Sequence, residues 1–158
     1  MPPLPKELTL SRKYSAPRSL VWKIWSEPEH IKQWWGPFGP ENTTCKIDFR
    51  VGGTFDIEMK SPKGDVMRAI GEYLEVLPLE RIVYLGPPDS ATACGCGSPP
   101  KARVTVTFDE IATKQTHLTV HTLFENPEDL IAANEHGYTS GWTNTLIALD
   151  EILQKAEV

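Results

Sequence analysis

The chain of 158 residues has no long apolar run, little cysteine and no surplus of positive charge. No stretch approaches the roughly 18 apolar residues of a membrane span, so no membrane contact is expected. The start, Met1-Pro2-Pro3-Leu4-Pro5-Lys6-Glu7, has no apolar core of a secretion signal. A soluble, cytoplasmic protein is the resulting expectation. Lysine and arginine number 16 against 21 aspartates and glutamates, a net charge of −5. That argues against a general nucleic-acid binder, because neutralising phosphates needs a Lys/Arg excess. Cysteine is limited to Cys45, Cys94 and Cys96, an odd and low count that argues against a disulfide framework. Cys94-Gly95-Cys96 sets its thiols too close in sequence for an easy bridge. No second cysteine pair and no nearby histidine joins them, so neither a metal nor a cofactor is expected. Catalytic signatures are missing as well: there is no serine elbow, no phosphate loop and no His-Glu-x-x-His.

What is present is a regular alternation. The length suits one domain over residues 1–158, with 1–7 as an N-terminal extension. Leu8 to Tyr14 alternates as a first strand. Pro17 then stands where a helix begins, and Leu20, Val21, Ile24 and Trp25 follow at helical spacing. Pro28 restarts the chain into a second short helix with Ile31, Trp34 and Trp35 on its apolar face, stopped by Gly36-Pro37. From Cys45 to Phe124 the period is two. Phe55, Ile57 and Met59 point one way, Asp56, Glu58 and Lys60 the other. A strand from Val66 to Leu77 carries Gly71 as a bulge or bend. Short turns between such segments predict an antiparallel meander. Residues 86–100, rich in Gly, Pro, Ser and Cys, are the longest loop. A mobile surface loop is favoured there over a lid.

The last element is read as one helix. Asn126 caps it, Pro127 takes the first position, and Glu128 and Asp129 suit its positive end. Tyr138, Trp142, Leu146, Leu149, Ile152 and Leu153 form its apolar stripe, with Gly137 and Gly141 in its interior. Each interior glycine costs about 1 kcal/mol relative to alanine. Close approach to the sheet would offset that, and so would space left for a ligand. Both readings stand.

These segments together resemble a known family. Gln33-Trp34-Trp35-Gly36-Pro37, Asp48-Phe49-Arg50-Val51-Gly52-Gly53, Gly71-Glu72-Tyr73-Leu74-Glu75, Pro78-Leu79-Glu80-Arg81-Ile82 and a terminal helix bearing Gly141-Trp142 carry the resemblance. The chain is similar to homologues of the activator of the heat-shock-90 ATPase, within the START-like (SRPBCC) superfamily. The resemblance implies an α+β helix-grip fold of the Bet v 1-like kind. In it a curved antiparallel sheet wraps around a long C-terminal helix, and two short helices follow the first strand. It also implies a cavity between that helix and the sheet.

The expected ligand-binding residues are Trp35, Phe38, Phe55, Ile57, Met59, Met67, Tyr84, Val106, Phe108, Asn134, Gly137, Tyr138, Gly141, Trp142 and Thr145. Plain core is the better reading for Trp142 and Phe108. Trp35 and Phe38 stand where a mouth would be, and Asn134 and Thr145 would be polar neighbours of the space. No catalytic residue is expected. His117 and His121 fall on the strand face opposite Leu118 and Val120, and His136 is expected in solvent. The leading functional expectation is therefore binding of a small hydrophobic molecule, aromatic or lipid-like. The alternatives are a cofactor-like module for a heat-shock-90 chaperone, and a cyclase or hydrolase of polyketide-like substrates. The last requires a titratable group inside the cavity. The polar outer sheet face neither demands nor forbids a homodimer.

Overall fold

The computed structural model describes residues 5–35, 40–86, 101–135 and 137–156. Phe38, His136, Cys94, Cys96 and all of the expected loop after Gly86 lie outside them.

Seven strands form one curved antiparallel sheet. They are β1 (Glu7–Tyr14), β2 (Thr43–Ile47), β3 (Thr54–Lys60), β4 (Val66–Leu77), β5 (Arg81–Leu85), β6 (Arg103–Ala112) and β7 (Gln115–Leu123). Their order is β1-β7-β6-β5-β4-β3-β2. β2 to β7 are thus the expected meander, and β1 pairs along β7 from Glu7↔Leu123 to Tyr14↔Thr116. Alternation sets the faces. Phe55, Ile57 and Met59 are buried while Glu58 and Lys60 are exposed. Arg68 of β4 crosses to Asp56 of β3, and Arg81 of β5 to Glu75 of β4, in ion pairs that belong to the outer face. His121 there meets Glu7, so the strand histidines point away from the interior.

Two short helices, α1 (Arg18–Ser26) and α2 (Pro28–Trp34), follow β1. Pro17 caps α1 rather than opening it, and its carbonyl accepts from the N–H groups of Leu20 and Val21. Pro28 takes the first position of α2, where a missing N–H costs nothing. The Trp34 indole donates to the Ile24 carbonyl at 3.1 Å and ties the two helices together.

The expected final helix is two helices, α3 (Pro127–Glu135) and α4 (Tyr138–Ala156). Asn126 does cap the start, its Oδ1 accepting from the Asp129 N–H at 2.9 Å. Gly137 ends the first helix instead of sitting inside a longer one. Its φ is +86°, and its N–H bonds the Asn134 carbonyl at 3.0 Å. A glycine in the left-handed region is the common way to close a helix. The pattern of apolar residues could not distinguish that from an interior glycine.

α4 lies over the inner face of the sheet. Tyr138, Trp142, Leu146, Leu149 and Leu153 are buried at helical spacing, as the stripe predicted. Three polar contacts fasten it. Tyr14 Oη donates to the Leu146 carbonyl at 2.7 Å, Arg12 pairs with Asp150 at 3.0 Å, and the Tyr138 and Thr122 hydroxyls meet at 2.6 Å.

Candidate functional site between the helices and the sheet

The interior above β3, β4 and β5 is built from rings. α1 supplies Trp25 and α2 supplies Trp34, with Trp35 just after it, because i and i+3 or i+4 positions face the sheet. α4 supplies Trp142. The Trp25 and Trp142 rings are stacked 5.9 Å apart with planes 12° from parallel, and Trp34 lies 4.6 Å from Trp25. Trp35 bridges to the sheet, 6.0 Å from Trp142 and 6.1 Å from Phe55. Phe55 meets Tyr84 edge-on at 5.0 Å and Tyr73 at 5.5 Å. Trp22 extends the cluster to Phe49 and Phe108. All five tryptophans of the chain therefore belong to one network.

Within that network lies a small, partly open space of about 20 Å³, as swept by the centre of a water molecule. That is room for about one water. Trp25, Ile31, Trp34 and Trp35 close it from the helices; Phe55, Ile57, Tyr73, Ile82 and Tyr84 close it from the sheet. None of the nine carries a charge at neutral pH. The only titratable groups in the lining are the phenols of Tyr73 and Tyr84. Burial pushes both well above the ordinary tyrosine value, so they are neutral hydrogen-bonding groups.

The space lies between α1, α2 and the sheet. It does not run along α4, because Trp142 fills the position between that helix and α1. Of the residues expected to bind ligand, Trp35, Phe55, Ile57 and Tyr84 line it. Met59, Val106, Phe108, Tyr138 and Trp142 are buried but do not line it. Met67 pairs with Met59 in the β3–β4 register, and its side chain is outside the described part. Asn134 is exposed, with its Oδ1 accepting from Thr139, so it does not border the space. Thr145 and Gly141 are half-buried on α4, and Gly137 is the helix break; none of the three lines it.

Five lining residues were not singled out as site residues: Trp25, Ile31, Trp34, Tyr73 and Ile82. The signal for the first three is their helical spacing, which marks a packing face without saying that a space adjoins it. Tyr73 was obscured by an irregularity at Leu74. Register shifts between Tyr73 and Glu75, so simple alternation along β4 loses its phase. That irregularity replaces the bulge expected at Gly71. Gly71 serves instead as a seat for a ring: a Cβ there would stand 2.5 Å from the Phe55 ring atoms.

Deeper along the sheet the Tyr138 hydroxyl is pushed up to about 12 by burial, against the opposing effect of Thr122 and the nearby Trp142 indole. Cys45, half-buried beside Glu29 and Lys32, is raised to about 11 by burial and is therefore a thiol, not a thiolate. Among the described residues no group of three or more His, Cys, Asp or Glu is placed to hold a metal ion. No helix among them is long and apolar enough to cross a membrane.

Comparison with known proteins agrees with this architecture. A family profile described as activator of Hsp90 ATPase homolog 1-like protein matches residues 15–154. No curated protein matches the chain. Among solved structures, a protein from Nitrosomonas europaea is 25% identical with a TM-score of 0.78, and the match covers 96% of each chain. A Mycobacterium smegmatis protein is 22% identical with a TM-score of 0.77, covering 96% of this chain and 92% of that one. A solution structure from Arthrobacter aurescens is 22% identical with a TM-score of 0.78, covering 95% and 87%. The last two are likenesses of fold alone.

Proposed function

The chain belongs to the activator of Hsp90 ATPase homolog 1-like family, and from that premise we propose that it binds a small hydrophobic ligand in its interior, as a single START-like domain. One observation carries this reading. The space above β3–β5 is lined by six aromatic and three isoleucine side chains and by no charged group. Apolar enclosure with a few polar points is the general form of a small-molecule site. Burial against rings supplies affinity at about 25 cal/mol per Å² of apolar surface. A ligand larger than a water enters by moving the rings that close the space. Trp35 is the natural one, since it follows the end of α2 and bridges helix to sheet.

The test is native mass spectrometry of the purified protein before and after unfolding, with tryptophan fluorescence titration of a naphthalene probe. An extra mass released on unfolding, or saturable quenching, is expected. Ile57→Phe fills the space and is expected to abolish binding at a stability cost of about 1–3 kcal/mol. Ile147→Ala, on the exposed side of α4, should leave binding unchanged. Binding that survives Ile57→Phe would place the ligand elsewhere.

A second reading, a cofactor-like module for a heat-shock-90 chaperone, draws on a different feature. Val51, Leu77, Leu79 and Ile111 are exposed in or beside the β2–β3, β4–β5 and β6–β7 turns, all at one end of the sheet. Exposed apolar groups gathered in one region suit a protein contact. Co-precipitation with such a chaperone, and stimulation of its ATPase, separates this reading from the first. Loss of both on Leu77→Ser with Ile111→Ser would support it.

A further inference from the structure

The sheet has two edges, and they differ. β2 forms one of them with only five residues, and α2 packs against it. β1 forms the other, and its eight residues run along β7 without a bulge or a proline. A long, regular edge of this kind is a template for another strand. Its free hydrogen-bonding groups follow from the register. The Phe124 N–H bonds the Lys6 carbonyl at 2.8 Å, one step beyond the pair Glu7↔Leu123. Bonded and non-bonded pairs alternate along an antiparallel ladder. Leu8, Leu10, Arg12 and Tyr14 therefore bond to β7, whereas Glu7, Thr9, Ser11 and Lys13 aim their N–H and C=O groups away from it. The side chains of these four are exposed. Glu7 Oε1 meets His121 Nε2 at 3.1 Å, and Lys13 makes no ion pair among the described residues.

We infer that a second copy of this chain docks on β1, with the two β1 strands antiparallel about a two-fold axis at Leu10 and the two sheets joined into one. Only residues that both face the seam can exchange bonds across it, so the axis must fall on a residue of the strand. An axis at Thr9 sets Glu7 opposite Ser11 of the second copy, and an axis at Ser11 sets Thr9 opposite Lys13. Neither engages all four edge-facing residues or pairs a charge with its opposite. The axis at Leu10 does both. Glu7 then stands opposite Lys13 of the second copy and Thr9 opposite Ser11, and symmetry repeats each pair. Opposite charges directly across two strands stabilise the pairing, and like charges oppose it. Leu10 meets its own copy at the axis on the inner face. Arg12, on that same face, is already held by Asp150, so no bare charge is brought to the seam. The same patch serves both copies, so the contact closes as a dimer. One strand pair is a small interface, which makes the dimer weak and concentration-dependent.

The experiment is sedimentation velocity of the full chain from micromolar to near-millimolar concentration. A monomer–dimer equilibrium that salt weakens is expected. Amide exchange reads the strand itself: the Thr9 and Ser11 N–H groups should slow as concentration rises, while those of Leu8 and Leu10 stay slow throughout. Lys13→Glu opposes two carboxylates at each end of the seam, and Glu7→Lys opposes two cations. Each should weaken the dimer about tenfold, so that either is largely monomeric where the wild type is dimeric. An equimolar mixture of these two variants should dimerise again, because their charges oppose correctly only in the mixed pair. Thr9→Pro removes an edge N–H without touching the bonds to β7 and should abolish dimerisation. If that variant does not fold, as tryptophan fluorescence reports, the two charge variants decide. A chain that stays monomeric at every concentration overturns the proposal and leaves the edge to a strand of another protein. A dimer that is unchanged in both charge variants, or a mixture no tighter than either variant alone, places the contact elsewhere and overturns it too.

Discussion

Gly71 shows how one missing Cβ shapes the interior. The Phe55 ring rests where that atom would be, and the Leu85 carbonyl oxygen lies 2.9 Å from the same point. A flexible ring can shift, but a strand carbonyl cannot. Gly71→Ala is therefore expected to cost about 1–3 kcal/mol and to push Phe55 toward the space it lines. The midpoint of denaturant unfolding measures the first effect. Leu79 is the opposite case. It sits at φ +67° in the turn after β4, behind Pro78, with the Glu80 N–H bonded to the Leu77 carbonyl at 3.0 Å. That position favours glycine, and a leucine there is strained. Leu79→Gly relieves about 1–2 kcal/mol of left-handed strain and gives back roughly 0.4–1 kcal/mol in unfolded-chain freedom, so a small net gain is expected, read from the same denaturation curve. Neither residue announced its role in the sequence. The sequence marks Gly71 as a bulge or bend, and Leu79 only as part of the Pro78-Leu79-Glu80-Arg81-Ile82 segment.

At the scale of elements, period two in the strands and period 3.6 in α1, α2 and α4 were legible because one face of each is buried. The α3–α4 break was not, since spacing constrains residues on a face and says nothing of a φ angle. Gly137→Ala tests the break directly. A side chain at φ +86° is expected to cost about 1 kcal/mol. No atom lies within 4 Å of the added Cβ, so the cost is conformational rather than steric crowding with neighbours. α3 buries only Ala133, so the loss should surface first as faster amide exchange in α3 while α4 stays protected. Uniform exchange through both helices would mean that they open as one unit. The candidate site was legible only in part for a related reason. Its sheet wall follows from alternation in β3 and β5. Its helix wall comes from residues whose spacing predicts burial but not which neighbours they meet.

At the scale of the whole molecule, all four tyrosines are buried and all four phenols are raised, chiefly by burial. The sign follows from linkage. In the unfolded chain a phenol ionises near pH 10, whereas folded Tyr138 holds its proton to about 12. Below pH 10 both states are protonated and stability is intact. Above it the unfolded state releases protons that the folded state keeps, so stability falls steadily between pH 10 and 12. Tyrosinate absorbance should therefore appear together with the collapse of tryptophan fluorescence. Ionisation of a tyrosine near pH 10 in protein that still holds its fluorescence would contradict the packing described.

The sheet has one seam that the order of synthesis leaves until last. β1 is the first strand to leave a ribosome, and its partner β7 is the final one. Arg12 then meets Asp150 of α4 across 138 residues of chain. Closing so distant a contact is slow compared with forming the hairpins between β2 and β7. Of the helices that cover the inner face of the sheet, α1 and α2 precede the meander strands in the chain and α4 follows them, so the stack of Trp25 on Trp142 closes only after the last strand is made.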